Sequence, residues 1–211
     1  AVTVVTSGAE SGQTVTVTLN STNYTGTVSG NSTAVTVAAS GLQALTDGDN
    51  YTLTTNVSDA AGNAATVNTG TSFNYDRTPP SISGAVAITG AGIQNNFLNA
   101  SDPAGGDVVS ATVTFSEVVD KTGTPQLTLA VGSDNRTATY ASGTGNAPLV
   151  FTYTIQAGDN DTDGISIRAN ALALNSGSTI MDLAENNAIL THSAVSDNNS
   201  YMVDTEAPRV D

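Results

Sequence analysis

The chain has no cysteine, no tryptophan and one histidine, and its five Lys and Arg stand against nineteen Asp and Glu. Each shortage closes a class of chemistry. Without cysteine there is no thiolate metal ligand and no cysteine nucleophile. A domain of this size buries an adequate core without disulfides, so their absence leaves an extracellular location open. With so few cations no basic patch can neutralise phosphates, which excludes nucleic acid and anionic membranes as partners. No apolar run reaches the roughly 18 residues of a membrane-spanning helix, so no membrane insertion is expected. No signal peptide opens the chain. The start, AVTVVTSGAESGQTVTVTL, falls straight into alternation and reads as a piece cut from something longer. Aromatic residues are 5% of the chain, too few for the ring-lined grooves of most carbohydrate enzymes and lectins.

What is present favours strands and turns. The net charge is -14, so a compact state repels itself, and divalent cations relieve that repulsion economically. Hydrophilicity comes mainly from Thr, Ser, Asn and Gly, with abundant Val, a blend suited to strands and tight turns. Alternation at period two recurs in Val15, Val17 and Leu19; Val35 and Val37; Tyr51, Leu53, Thr55 and Val57; Val109, Ala111, Val113 and Phe115; Leu127, Leu129 and Val131; and Phe151, Tyr153 and Ile155. Turn clusters separate these runs, the pattern of β-sandwiches. The one helix-compatible stretch is short, at 169–174. The chain is expected to be all-β.

Two internal resemblances set the unit. NYDRTPPSI at 74–82 matches MVDTEAPRV at 202–210, and each places prolines where a strand ladder must end. DAAGNAA at 59–65 matches DLAENNA at 182–188, each roughly twenty residues ahead of such a linker. Two domains are expected, 1–78 and 79–211, with most of the negative charge in the second. In the first, LTDGDNY at 45–51 has the form of a tyrosine corner, which marks the crossing between the fifth and sixth strands of a Greek-key sandwich.

Catalytic motifs are weak. His192 lies in ILTHSAV, which alternates like a strand, and is expected to face solvent. No G-x-S-x-G precedes a helix. Asp47 and Asp49 form a carboxylate pair of the type glycosidases use, but without supporting aromatics. The loops GTG and GAG lack a following helix and lysine, so they are turn glycines. GDNDTDGIS at 158–166 is different: acidic residues at 159, 161 and 163 closed by Gly164 are how a short loop wraps oxygen around a hard cation. A helical calcium hand needs Glu at its twelfth position, where this chain has Asn170. A calcium loop on another scaffold and a solvated turn both remain.

The motifs L-x-DG-x-x-Y, TLTTNVSDAAGN and YDRTPP resemble the bacterial Ig-like repeats of giant calcium-dependent surface adhesins of the repeats-in-toxin type. GDVVSATVTFSEVV, TGTPQLTLAVG, RTATYASGTG, LVFTYTIQAGDNDTDGISI and VDTEAP resemble a second repeat of those proteins. The resemblance spans nearly the whole chain. It departs at DLAENN, in place of DAAGN, and at the long NNFLNASDPAGGD loop. It implies two tandem Ig-like, cadherin-like sandwiches joined end to end. It further implies a non-catalytic, monomeric extender on the bacterial cell surface, calcium-stiffened, whose partners are neighbouring repeats and calcium ions. A glycan- or protein-binding module is the alternative, and an accessory domain of a secreted hydrolase is a third reading.

On that sandwich the acids fall at the domain ends. Glu10, Asp47, Asp49 and the linker Asp76 are expected at the exit end of the first domain. Asp182 and Asn186, with Glu117 and Asp120 nearby, are expected to face them from the second. GDNDTDGIS, with Asp102 or Asp107 and Asp204, is expected to form the next half site, and Asp59 and Asn63 a half site at the opposite end of the first domain. Calcium is the expected cofactor.

Overall fold

Val15, Val17 and Leu19 turn to one side of a strand whose other side is threonine, and that alternation decides which face of the sheet is buried. The structure, a computed structural model, describes residues 1–91, 93–100 and 105–210. It divides into two compact units, Ala1–Thr78 and Pro79–Asp211. Nearly all regular structure among the described residues is strand.

Unit 1 runs β1 (Val2–Val5), β2 (Thr14–Leu19), β3 (Thr22–Thr27), β4 (Ser32–Val35), α1 (Ala39–Gln43), β5 (Asn50–Val57) and β6 (Asn68–Asn74). β1 pairs antiparallel with β4, and the other four strands form a sheet of order β3-β2-β5-β6. Val15, Val17, Val28 and Val35 are its buried centre, with Val2, Val4, Tyr24, Leu53 and Val57 packed against them. Asn20 and Ser21 both have positive φ (47° and 62°), the geometry of a two-residue hairpin turn that matches strand twist. Tyr51 accepts the Thr46 N–H on its hydroxyl at 2.7 Å, the contact expected of a tyrosine corner.

Two expectations are corrected here. The short helix is not at 169–174 but at Ala39–Gln43, where Gly41 approaches the Tyr24 hydroxyl so closely that a Cβ would sit 1.7 Å from it. At 169–174, Asn170 takes a positive φ of 58°, which no helix tolerates, and Leu172–Ala173 pairs as a strand. The second correction is strand order. β2 pairs with β5, Val15 opposite Val57, so the loop after β1 lies where β5 ends. The Asp47 turn lies where β5 begins. Glu10 is therefore at the opposite end of unit 1 from Asp47 and Asp49.

Unit 2 contains β7 (Ala87–Ala91), β8 (Phe97–Leu98), β9 (Val108–Thr122), β10 (Gln126–Val131), β11 (Asp134–Ser142), β12 (Asn146–Thr154), β13 (Asn160–Asp161), β14 (Leu172–Ala173), β15 (Thr179–Met181) and β16 (Met202–Asp204). The larger sheet has order β14-β10-β11-β12-β9-β15, with β7 also on β9. The smaller has order β13-β16-β8. Val109, Ala111, Val113, Leu127, Leu129, Leu149 and Phe151 are fully buried in one core. Each large apolar side chain there contributes about 1.5–3 kcal/mol. β9 bulges where its partner carries Pro148, which cannot donate to a ladder. No helix of the described residues is long and apolar enough to cross a membrane.

Candidate functional site

The paired motifs at 59–63 and 182–186 fold into one kind of turn. Asp59 accepts the Asn63 N–H at 2.7 Å on one carboxylate oxygen and the Asn63 amide N–H at 2.8 Å on the other. Asp182 repeats this with Asn186, at 2.8 Å for each bond, and adds the Ala184 N–H at 2.8 Å. The third intervening residue needs a positive φ. It is Gly62 at 89° in one turn and Glu185 at 67° in the other. The Asn63 bonds hold Asp59 below the ordinary carboxylate range. Glu10 accepts the Ala60 N–H at 2.9 Å, so it braces the first of these turns, not the Asp47 turn.

At the far end of unit 1, Asp47 accepts the Arg77 N–H at 2.7 Å and the Thr78 hydroxyl. Those bonds, the Thr78 hydroxyl first, keep its pKa low. Asp76 accepts the Thr78 N–H at 3.0 Å, and Asp49 is exposed in the same turn. The structure therefore brings Asp47, Asp49 and Asp76 together and separates Glu10 from them.

Unit 2 has the matching arrangement at 158–166. The Gly158 N–H donates to the Thr205 hydroxyl at 3.0 Å, which donates in turn to the Asp159 carbonyl. Asp204 accepts the Glu206 N–H at 3.0 Å, as Asp76 does from Thr78. Asp159 is buried and accepts from Arg136 Nε at 2.6 Å, the Tyr153 hydroxyl at 2.6 Å and the Gln156 N–H at 2.9 Å. Asp161 is buried and accepts from Gly132 and Gly164 at 2.7 Å each. Asp163 is exposed, and its pKa is raised by its hydrogen bond with Asp161 and by the charges of Asp161 and Asp197. Asp107 is buried at the same end and accepts the Asn99 N–H at 2.8 Å. Asp102 lies outside the described residues.

Glu117 and Asp182 bring carboxylate oxygens within 4.8 Å of one another in unit 2. Glu117 lies on β9, and Asp182 directly follows β15, which pairs with the end of β9. Pro80 and Ser81 are tied beside them: the Pro80 carbonyl accepts the Ile189 N–H at 2.8 Å, and the Ser81 N–H donates to Ser116 Oγ at 3.0 Å. Asp120 turns instead to the Thr144 hydroxyl, 3.2 Å away. The donors are hard carboxylate and amide oxygens, which suit Ca2+, Mg2+ or Mn2+ better than a soft metal.

The expectation for His192 is also corrected. It is buried and off any strand, its Nε2 accepting the Ala171 N–H at 2.9 Å and its Nδ1 2.8 Å from the Ser193 carbonyl. Both ring nitrogens are therefore engaged with backbone groups, which is a structural role. Sequence reasoning missed Arg136 and Tyr153, the partners of Asp159. The available signal was that Arg136 is one of five cations in so acidic a chain.

No protein-family model and no curated protein matches the chain. It is similar over 97% of its length to 43% of a solved chain from a Ca2+-stabilised adhesin that helps an Antarctic bacterium reach out and bind ice, with 26% identity and a TM-score of 0.41. It is similar over 94% of its length to 55% of a second solved chain, from a 1.5-MDa bacterial ice-binding adhesin studied for its retention on the host cell surface. There the identity is 22% and the TM-score 0.39.

Proposed function

We propose that this chain is a non-catalytic spacer from a bacterial cell-surface adhesin, whose tandem units are stiffened by calcium. The observation that carries the reading is the approach of the Glu117 and Asp182 carboxylates beside the first residues of unit 2. Two carboxylates brought this close repel each other unless a cation is present. Asp182 already accepts three N–H groups, and a carboxylate offers about four acceptor positions, so coordination capacity remains. We assign Asp182, Glu117 and Asn186 as ligands from unit 2. Asp76, four residues ahead of Pro80 in the chain, is the ligand the linker brings. A linker aspartate bound to calcium is no longer free to swivel, and a spacer works only if it does not swivel. Pro79 and Pro80 restrict the same segment through fixed φ.

At the other end of unit 2 Asp163 and Asp204 are exposed and accessible to a cation. Asp159, Asp161 and Asp107 are buried, each accepting protein donors. The adhesin assignment also draws on the motif resemblance described above.

Calorimetric calcium titration of the chain tests the assignment. Extracellular calcium modules bind at roughly 10⁻⁴–10⁻³ M. Glu117→Gln keeps size and shape while removing a charge, so it should weaken binding by about tenfold or more. Unchanged binding in Glu117→Gln would remove this site from the account.

A further inference from the structure

We propose that the outer edge of β1 is an acceptor for an extended strand. We further propose that its occupant is a linker-plus-strand segment of the kind that residues 79–91 form in unit 2. Backbone geometry defines the edge. The Thr6 N–H donates to the Asn31 carbonyl at 3.1 Å, continuing the β1–β4 ladder. Groups along an antiparallel strand alternate sides, so Val2, Val4 and Thr6 bond toward β4. Thr3 and Val5 then aim their N–H and C=O groups at the other edge, where no described residue pairs with them. An unpaired edge of this kind is a template for another strand.

The packing points the same way. A two-stranded sheet faces a four-stranded one, and β6 has a single half-buried residue, Phe73, in its seven. Between β1 and β5–β6 runs a groove of about 280 Å³ lined by Val2, Val4, Leu53 and Gly70. A second hollow of about 150 Å³ is lined by Val5, Thr6, Val57 and Ala65. The buried Thr6 hydroxyl there has no hydrogen-bond partner among the described residues. Val5 is 77% exposed, an unusual state for a strand valine. Among the described residues, no charged one lines either hollow.

Unit 2 shows what fills such an edge. Its strand β9 is paired on both sides, by β12 and by β7, and Ser83 extends the second pairing with an N–H bond of 2.7 Å to Thr114. The filling segment sends Ile82, Val86 and Ile88 into the core and carries no charge. Beside it Val109, Ala111 and Val113 are fully buried. The occupant of the β1 edge therefore has the same chemistry: uncharged, extended, antiparallel, with Ile or Val on alternate positions and proline at its start.

Amide hydrogen exchange read residue by residue tests this. In the 211-residue chain, Val4 and Thr6 should be protected while Thr3 and Val5 exchange freely. A variant carrying a second copy of the 79–91 sequence ahead of Ala1, through a short Gly-Ser turn, should slow Thr3 and Val5 by roughly tenfold or more. A control extension with the copies of Ile82 and Ile88 replaced by Asp should leave them fast. Three outcomes would overturn the proposal: Thr3 and Val5 already protected in the unextended chain, no protection in the extended one, or equal protection by the charged control. Protection in the unextended chain that rises with protein concentration would identify a second copy as the occupant instead.

Discussion

Arg136 Nε donates to the Asp159 carboxylate at 2.6 Å, and with that bond one aspartate of the acidic loop becomes a structural anchor. Asp159 is 1% exposed, so its charge needs this partner. Losing it leaves Arg136 half-satisfied, with Asp134 at 2.9 Å as its one remaining ion-pair partner among the described residues. Removing one member of a buried pair costs 3–5 kcal/mol, and the Arg136 side chain is 31% exposed, so about 2–3 kcal/mol is expected for Asp159→Ala. That corresponds to roughly 6–12 °C in the melting temperature of unit 2. A loss under 2 °C would show that the pair is not an anchor.

The same group predicts an acid limb. Burial alone raises the Asp159 pKa, but the Tyr153 hydroxyl, the Gln156 N–H and Arg136 more than reverse it, holding it below the ordinary 3.8. A carboxylate with a depressed folded pKa stabilises above its unfolded value, and that stability is lost as pH falls through the folded one. Unit 2 should therefore hold its melting temperature down to about pH 4 and lose it below. Asp159→Asn should flatten that limb.

Asp163 carries the opposite sign. Its pKa is raised by its hydrogen bond to Asp161 and by the charges of Asp161 and Asp197, so its ionised form opposes folding. The stability linked to its protonation is present at low pH and lost as pH rises through the raised value. Asp163→Asn should raise the melting temperature at pH 7 and change little at pH 3. Calcium should narrow the pH 7 difference if the ion reaches this loop. A lower melting temperature for Asp163→Asn in chelator at pH 7 would contradict the assignment of repulsion here.

The twin turns offer a comparison inside one molecule. Gly62 has φ 89° with open space around its Cα, so Gly62→Ala tests backbone strain without a clash. The left-handed region costs about 1–2 kcal/mol for an L-residue, and loss of about 1 kcal/mol is expected. Glu185 already bears that strain at φ 67°, and Glu185→Gly should leave stability unchanged or raise it. Chemical denaturation of both variants reads the two signs directly. Equal destabilisation by both would mean that Glu185 has a compensating contact.

His192→Ala should destabilise unit 2 by about 1–3 kcal/mol, because the Ala171 N–H loses its acceptor in a half-buried place. Hydrogen exchange at Ala171 should accelerate in step. An unchanged Ala171 amide would show that the imidazole is not its partner.

Strand content was legible because alternation writes the buried face directly into the sequence. Val15, Val17 and Leu19, or Leu127, Leu129 and Val131, needed no tertiary information to be placed inward. Pairing was not legible. Nothing in VTVV says which strand it pairs with, and placing the loop after it beside the Asp47 turn sent Glu10 to the wrong end of its unit. The linkers and twin turns were visible because Asp, Asn and Gly recur at fixed offsets. What they bond to was not: Asp47 and Asp159 occupy matching turns, yet one takes linker donors and the other an arginine 23 residues away. His192 misled for a related reason, since alternation marks sides of a strand and its segment is not one.

Calcium-dependent rigidity is the central claim, and small-angle X-ray scattering with and without calcium tests it most directly. The calcium-loaded chain should give one maximum dimension with a narrow distribution. Chelation should broaden that distribution while both units keep their folds, and Asp76→Ala should behave like the chelated chain even with calcium present. Chelation should also lower the melting temperature, since ligand at 100-fold over its dissociation constant adds about 2.7 kcal/mol to the state that binds it. If loaded, chelated and Asp76→Ala chains all show the same dimension and the same narrow distribution, calcium is not the stiffener.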